Sequence, residues 1–187
     1  MSNMHLNMSK IKIFCLMSLL GLSGLSLTGC NDYPGVQNDG SVKLAHKPIW
    51  GDTTDQQIFL GGNCHIDSIN DKPGEGPASH TVKQSGPALK VSGWGAISVK
   101  EGVMASDIMI SLRRNSNQEA RLFAVTTRGK RPDVADYFKN SASIDTGFKS
   151  ALDLSDIAPG DYLLEVIQHK DGKSFKCEYT ANIIIEK

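Results

Sequence analysis

Ser174-Phe175-Lys176-Cys177-Glu178-Tyr179-Thr180-Ala181-Asn182-Ile183-Ile184-Ile185 reads as a β-strand with two unlike faces. Cys177, Tyr179, Ala181, Ile183 and Ile185 fall on one side, and Lys176, Glu178, Thr180 and Asn182 on the other. Period two is the mark of a half-buried strand, because successive side chains point to opposite faces of a sheet. Just upstream, Lys170-Asp171-Gly172-Lys173 has hairpin-turn chemistry, since Gly172 can take positive φ, so Tyr162–His169 should be the partner strand. Further out, apolar runs stay short, are separated by turn residues and show no sustained helical period. They predict strands at Cys64–Ile69, Ala88–Ile97, Asp107–Arg113, Arg121–Thr127 and Phe148–Asp153.

Two connections are distinctive. Arg131-Pro132-Asp133-Val134-Ala135-Asp136-Tyr137-Phe138 has a proline suited to a first helical position and places Val134, Tyr137 and Phe138 on one face. It predicts about two turns of helix packed on the sheet, with Asp133 and Asp136 favoured near the helix start. Ile157-Ala158-Pro159-Gly160-Asp161-Tyr162 is a tight turn entering a strand. It resembles the corner of immunoglobulin-like sandwiches where a tyrosine hydroxyl bonds back to upstream backbone. The expected fold is therefore all-β: a two-layer antiparallel immunoglobulin-like sandwich of about seven strands with one short helix, over residues 58–187.

The other end of the chain reads as an address. Lys10 and Lys12 precede Ile13–Leu27, an uncharged apolar run short for a membrane span, which needs roughly 20 apolar residues. A basic start, a short apolar middle and small residues at the end describe a secretory signal. Of Met1, Met4 and Met8, a start at Met8 gives the more usual signal length. Leu27-Thr28-Gly29-Cys30 resembles the lipobox of bacterial lipoproteins. That resemblance implies removal of residues 1–29, a diacylglycerol thioether on Cys30, acylation of the new amine, and a membrane anchor in which each CH₂ contributes about 0.8 kcal/mol. Asn31, where an Asp would favour inner-membrane retention, leans the location toward the outer membrane, although Asp32 next door weakens that inference. Residues 30–57 are rich in turn chemistry and read as the lipidated cysteine and a polar tether. Within them, Ser41–Ala45 is a candidate short strand and Trp50 could pin the tether to the domain.

Four cysteines are present. Cys15 lies inside the signal and Cys30 is taken by lipid, which leaves Cys64 and Cys177. In an exported chain one leftover pair most simply makes one disulfide, and two buried free thiols are the alternative. A metal site needs more ligands than two distant cysteines with His65 beside one of them, so no metal is expected.

Residues 64–187 further resemble the β-sandwich modules appended to some bacterial envelope glycosyltransferases. The matching residues are Ile66-Asp67-Ser68-Ile69-Asn70, Val91-Ser92-Gly93-Trp94, Arg131-Pro132-Asp133-Val134 with Phe138, Thr146-Gly147-Phe148 and Gly160-Asp161-Tyr162, in that order. The resemblance implies a sandwich in a glycan or envelope setting and no transferase activity, because the catalytic parts of such enzymes lie outside these modules. Two features depart from the pattern. Gly95-Ala96-Ile97 stands where an acidic residue often follows the Trp, and the cysteine pair is particular to this chain.

Across 187 residues, 20 Lys+Arg balance 20 Asp+Glu. Losing residues 1–29 removes Lys10 and Lys12 and no acid, so the remainder is slightly acidic. That balance argues against nucleic-acid binding. Motifs for phosphate binding, serine hydrolysis, zinc proteolysis and dithiol chemistry are absent from the sequence, and neither a cofactor nor catalysis is expected. His65 and Asp67 share a strand face at i, i+2, but no third partner is identifiable. The carboxylates Glu75, Asp107, Asp133, Asp136, Asp145 and Asp161 cannot be paired from sequence. Trp94 fits either the core aromatic of the sandwich, the reading its small neighbours favour, or a sugar-stacking platform. Arg113, Arg114, Arg121, Arg128, Lys130 and Arg131 are the candidate ligand-binding residues, opposed only by Glu119. Their guanidinium groups suit an anionic glycan, lipid headgroup or carboxylate, and the alternative is a solvated face of ordinary ion pairs. The expected function is that of a noncatalytic, membrane-anchored envelope lipoprotein that binds glycan or a partner protein. The alternative is a periplasmic inhibitor or assembly accessory acting by protein–protein contact.

Overall fold

A computed structural model describes residues 33–51, 58–74, 79–116 and 121–187. Cys30, the lipobox, Glu75 and Glu119 lie outside the described residues. The strands in chain order are β1 Gly35–Val36, β2 Val42–Lys43, β3 Ile58–Leu60, β4 Asn63–Ile69, β5 Lys72–Pro73, β6 His80–Lys83, β7 Leu89–Ala96, β8 Asp107–Arg114, β9 Arg121–Val125, β10 Thr127–Gly129, β11 Gly147–Asp153, β12 Gly160–Lys170 and β13 Lys173–Glu186. One helix, α1 Pro132–Tyr137, and a 3₁₀ turn at Ser141–Asp145 interrupt them.

The strands form two sheets. The first runs β1-β2-β11-β7-β4-β5 with β10 beside β11, and the second runs β3-β13-β12-β8-β9 with β6 beside β13. The fold is all-β, as the alternation predicted, and every long expected strand is present. The expected single strand Arg121–Thr127 breaks at Thr126, whose hydroxyl donates to the Ile108 carbonyl at 2.7 Å. There the chain leaves the second sheet as β9 and joins the first as β10.

The purely antiparallel arrangement of about seven strands is corrected. Long neighbours pair antiparallel, but β2 runs parallel to β11, and both β3 and β6 run parallel to β13. These added strands are two to four residues long and are reached by long connections, which allow parallel pairing where a tight hairpin would not. They are too short to show a period in sequence.

The core lies between the sheets. Ile66, Leu89, Leu152, Ile110, Leu164 and Ile183 are among its buried side chains. The tether expected over residues 30–57 is also revised. Val42 and Leu44 are buried in this core, and Ala45 exchanges two backbone hydrogen bonds with Phe123 on the free side of β9. The chain then covers the outer face of the second sheet. There Trp50 stacks on His169 at 4.5 Å between ring centroids and joins Met109, Phe123 and Ile167 in a smaller cluster. Burial holds the His169 imidazole below its ordinary pKa, which keeps it neutral against the indole. The pinning role expected of Trp50 is thus observed.

Turn chemistry is as read. Asp171 and Gly172 both have positive φ between β12 and β13. The Tyr162 hydroxyl donates to the Ala158 carbonyl at 2.7 Å, four residues upstream. One residue of the deciding strand departs from its expected face. Between the pairs Glu165–Thr180 and Ile167–Lys176, β12 advances two residues and β13 advances four. This bulge keeps Cys177 and Ala181 inside but pushes Tyr179 out, leaving it 51% exposed.

Cys64 on β4 and Cys177 on β13 form the expected disulfide, with 6.0 Å between Cα atoms and a sequence separation of 113. It ties the two sheets together covalently. Closing so long a loop is worth about 4 kcal/mol in the chain-entropy account. Replacing both cysteines by alanine should lower the unfolding free energy by about that amount in urea titrations, with the same native near-ultraviolet spectrum.

Candidate functional site

The basic residues of the 113–131 segment do not converge. Glu165 on β12 faces away from the core yet is 0% exposed. Arg113 Nε donates to its Oε1 at 3.3 Å, Arg121 Nε to its Oε2 at 3.1 Å and Lys176 Nζ to Oε1 at 3.2 Å. The Ser111 hydroxyl donates to Oε2 at 3.3 Å. Burial alone would raise the Glu165 pKa, but the charges of Arg121, Lys176 and Arg113 and the Arg121 hydrogen bond together hold it below the ordinary value. Arg113 and Arg121 are therefore structural partners of a buried carboxylate.

The remaining four sit apart. Arg114 donates to the Pro159 carbonyl at 3.0 Å and lies over the Tyr162 ring. Arg128 donates to the Asp145 carbonyl at 2.7 Å, and burial lowers its pKa. Lys130 is exposed. Arg131 alone reaches a face that carries other candidate residues. The proposed convergent ligand site is thus replaced by several local contacts. The sequence could not show this, because Glu165 lies 44 and 52 residues from Arg121 and Arg113.

That face is the outer side of the first sheet. On β7, Leu89 and Val91 are buried in the core, so alternation turns Lys90, Ser92 and Trp94 outward. Trp94 lies outside the main core. It is half-buried and packs with Val134, Val99, Met104 and Phe138 in a separate cluster, which corrects the core-aromatic reading. Register sets His65 on β4 directly beside Trp94, with centroids 6.4 Å apart and rings nearly parallel. Phe138 meets Trp94 edge-on at 5.8 Å, and Tyr137 meets Phe138 at 4.9 Å. Tyr179, displaced by its bulge, meets His65 edge-on at 5.7 Å. Five rings thus form a continuous strip, Tyr179–His65–Trp94–Phe138–Tyr137.

Helix α1 presents one end of this strip. Pro132 occupies its first turn as expected. Its buried residues are Val134 and Ala135, with Phe138 half-buried beside them, while Tyr137 is 80% exposed. At 3.6 residues per turn, the arc from Val134 through Phe138 to Ala135 leaves Tyr137 on the rim, so its expected packing on the sheet is corrected. Asn140 and Ser143 fasten the segment by donating to the Val99 carbonyl at 3.1 and 2.9 Å.

A polar ladder crosses the strip. Arg131 donates to Asp133 through Nε at 2.8 Å and Nη2 at 2.6 Å, and to Asp67 Oδ2 through Nη1 at 2.5 Å. His65 Nε2 lies 3.7 Å from the other oxygen of Asp67. The Arg131 hydrogen bonds and charge lower the Asp133 pKa to about 2. A Cβ at Gly147 would sit 2.7 Å from the Gly129 carbonyl oxygen and 2.9 Å from Arg131 Cγ, and the fixed backbone oxygen makes glycine necessary there. Beyond the ladder the Ser68 and Ser92 hydroxyls share a hydrogen bond at 2.8 Å.

The arrangement combines two exposed rings, Tyr137 and Tyr179, and three half-buried ones with forked, planar hydrogen-bonding groups, and among the described residues it carries no nucleophile–base pair. Among the described residues, no group of three or more His, Cys, Asp or Glu side chains is placed to hold a metal. No family model, curated protein or solved structure matches the chain.

Removing the Glu165 charge leaves three cations around a neutral buried group. Glu165→Gln should cost roughly 3 kcal/mol in urea unfolding. Because the folded pKa lies below the ordinary 4.5, this contribution is fully present above that value and is lost as pH falls through the folded pKa. The wild-type stability should therefore fall more steeply than that of Glu165→Gln as pH drops from about 5 through the folded pKa.

Proposed function

We propose that the chain is a noncatalytic, lipid-anchored envelope module that binds glycan through the outer face of its first sheet. The observation that carries this reading is the ring strip crossed by the Asp67–Arg131–Asp133 ladder. Sugars offer C–H faces that stack on aromatic rings and hydroxyls that pair with carboxylate and guanidinium groups. The lipobox at Cys30 and the signal before it support export and anchoring, with the outer membrane the favoured location. Among the described residues, no helix is long and apolar enough to cross a membrane. The bond from Tyr162 to Ala158 supports the finer assignment of an immunoglobulin-like sandwich.

A second reading, an inhibitor or assembly accessory acting by protein contact, draws on β3. That short strand lies at the end of the second sheet and exposes Phe59 and Leu60, which suits strand addition.

Binding of chitohexaose to the disulfide-bonded domain, followed by calorimetry, tests the glycan reading. Trp94→Ala should weaken it about tenfold, or about 1.4 kcal/mol. Tyr137→Ala removes an exposed ring without touching the core and should weaken it several-fold. Binding unchanged in both variants contradicts the assignment of this face.

A further inference from the structure

The geometry points to an anionic subsite beside the ring strip: Lys90 and Lys149 take a carboxylate carried by the bound glycan. This rests on the glycan reading above and specifies which glycans the face selects. A hollow of about 370 Å³ crosses the outer face of the first sheet next to the strip. It runs from Asp71, at the end of β4, over Lys90 and Ser92 on β7 and Lys149 on β11, to Thr127 on β10 and Val36 on β1. The last two flank the stretch of β11 left between its neighbours β2 and β10. Lys149 is the register partner of Ser92, and Lys90 is two residues further along the same face. From Trp94 to Lys90 is four residues of strand, about 13 Å, so a ligand of a few sugar rings can stack at one end and reach both ammonium groups at the other.

Charge decides the class of ligand. Both lysines are exposed, and among the described residues neither forms an ion pair, whereas Arg113, Arg121, Arg131 and Lys176 are all held by carboxylates. Asp71 is the opposing charge in the hollow, which leaves it with one net positive charge. The Ser92 hydroxyl, beside both lysines, can accept from Ser68 and give its own proton to a carboxylate oxygen. The apolar wall at Val36 and the hydroxyl of Thr127 suit the ring bearing that carboxylate. The carboxylate could belong to a uronic acid or to an acidic substituent on an amino sugar, and the two share the chemistry read here.

Three probes separate the outcomes: neutral chitohexaose, oligogalacturonate of the same length, and a tetrasaccharide of alternating N-acetylglucosamine and N-acetylmuramic acid. Each is titrated into the disulfide-bonded domain, the Lys90→Gln/Lys149→Gln double variant and Tyr137→Ala. At least one acidic probe should bind more tightly than chitohexaose. The double variant should weaken that probe about tenfold, abolish most of its salt dependence and leave chitohexaose unchanged. Whichever acidic probe shows the loss identifies the source of the carboxylate. Equal binding of neutral and acidic probes, unaffected by the double variant, overturns the subsite while a loss in Tyr137→Ala preserves the platform. Failure of all three probes to bind overturns the platform and the subsite together.

Discussion

Cys64 sits on β4 of the first sheet and Cys177 on β13 of the second, and their bridge is a covalent tie between the layers. Neighbouring positions inherit its geometry. His65 follows Cys64 and turns to the outer face, where Trp94 is its register partner. Tyr179 lies two residues past Cys177, on the bulge that lets β13 keep its inward parity, and comes against His65. One end of the ring strip is therefore assembled from both sheets at the place where they are crosslinked. His65 and Trp94, packed between neighbouring rings, keep little side-chain freedom, which would lower the entropic cost of the proposed binding.

The two outer faces of the sandwich are treated differently. The second sheet is covered by residues 45–50, with Trp50 stacked on neutral His169, and its one buried acid is surrounded by three cations. Arg113, Arg121 and Lys176 are engaged by Glu165, and Met109, Phe123 and Ile167 are packed under Trp50. The first sheet carries rings, hydroxyls, a half-exposed ion-pair ladder and two exposed lysines over a shallow hollow. One outer face is packed against the chain's own Trp50, and the other carries the ring strip and the hollow.

Much of this could be read from the chain. The alternation in Ser174–Ile185, the Asp171–Gly172 turn, Pro132 at the helix start and the cysteine pair each correspond to a local physical requirement, and each is met. The orientation of Trp94 was also within reach. Leu89 and Val91 fix the parity of β7, and an even-numbered residue on that strand faces out. Its glycine neighbours misled because their inward space is filled from other strands, by Phe148 over Gly93 and Ile108 over Gly95. What could not be read was pairing over distance. Nothing near Arg131 announces Asp67, 64 residues away, and nothing near Arg113 announces Glu165. A run of arginines signals cationic potential, while their partners are chosen by sheet register. Of the short strands, β2 falls inside the expected Ser41–Ala45; β1, β3, β5 and β6 escaped because two to four residues carry no period, and they exist because a longer strand offers them an edge.

The chain contains two tryptophans, which makes one measurement decisive. Trp94 stands on the proposed binding face, whereas the Trp50 indole nitrogen is buried on the opposite side of the sandwich. In an amide and indole correlation spectrum of the ¹⁵N-labelled domain, titration with an oligosaccharide of amino sugars should shift the Trp94 indole signal together with the Phe138 and Tyr179 amides. The Trp50 indole should stay in place. Shifts confined to Trp50 and β12, or a spectrum unchanged at saturating sugar, would contradict the assignment of the first sheet's outer face as the site of recognition.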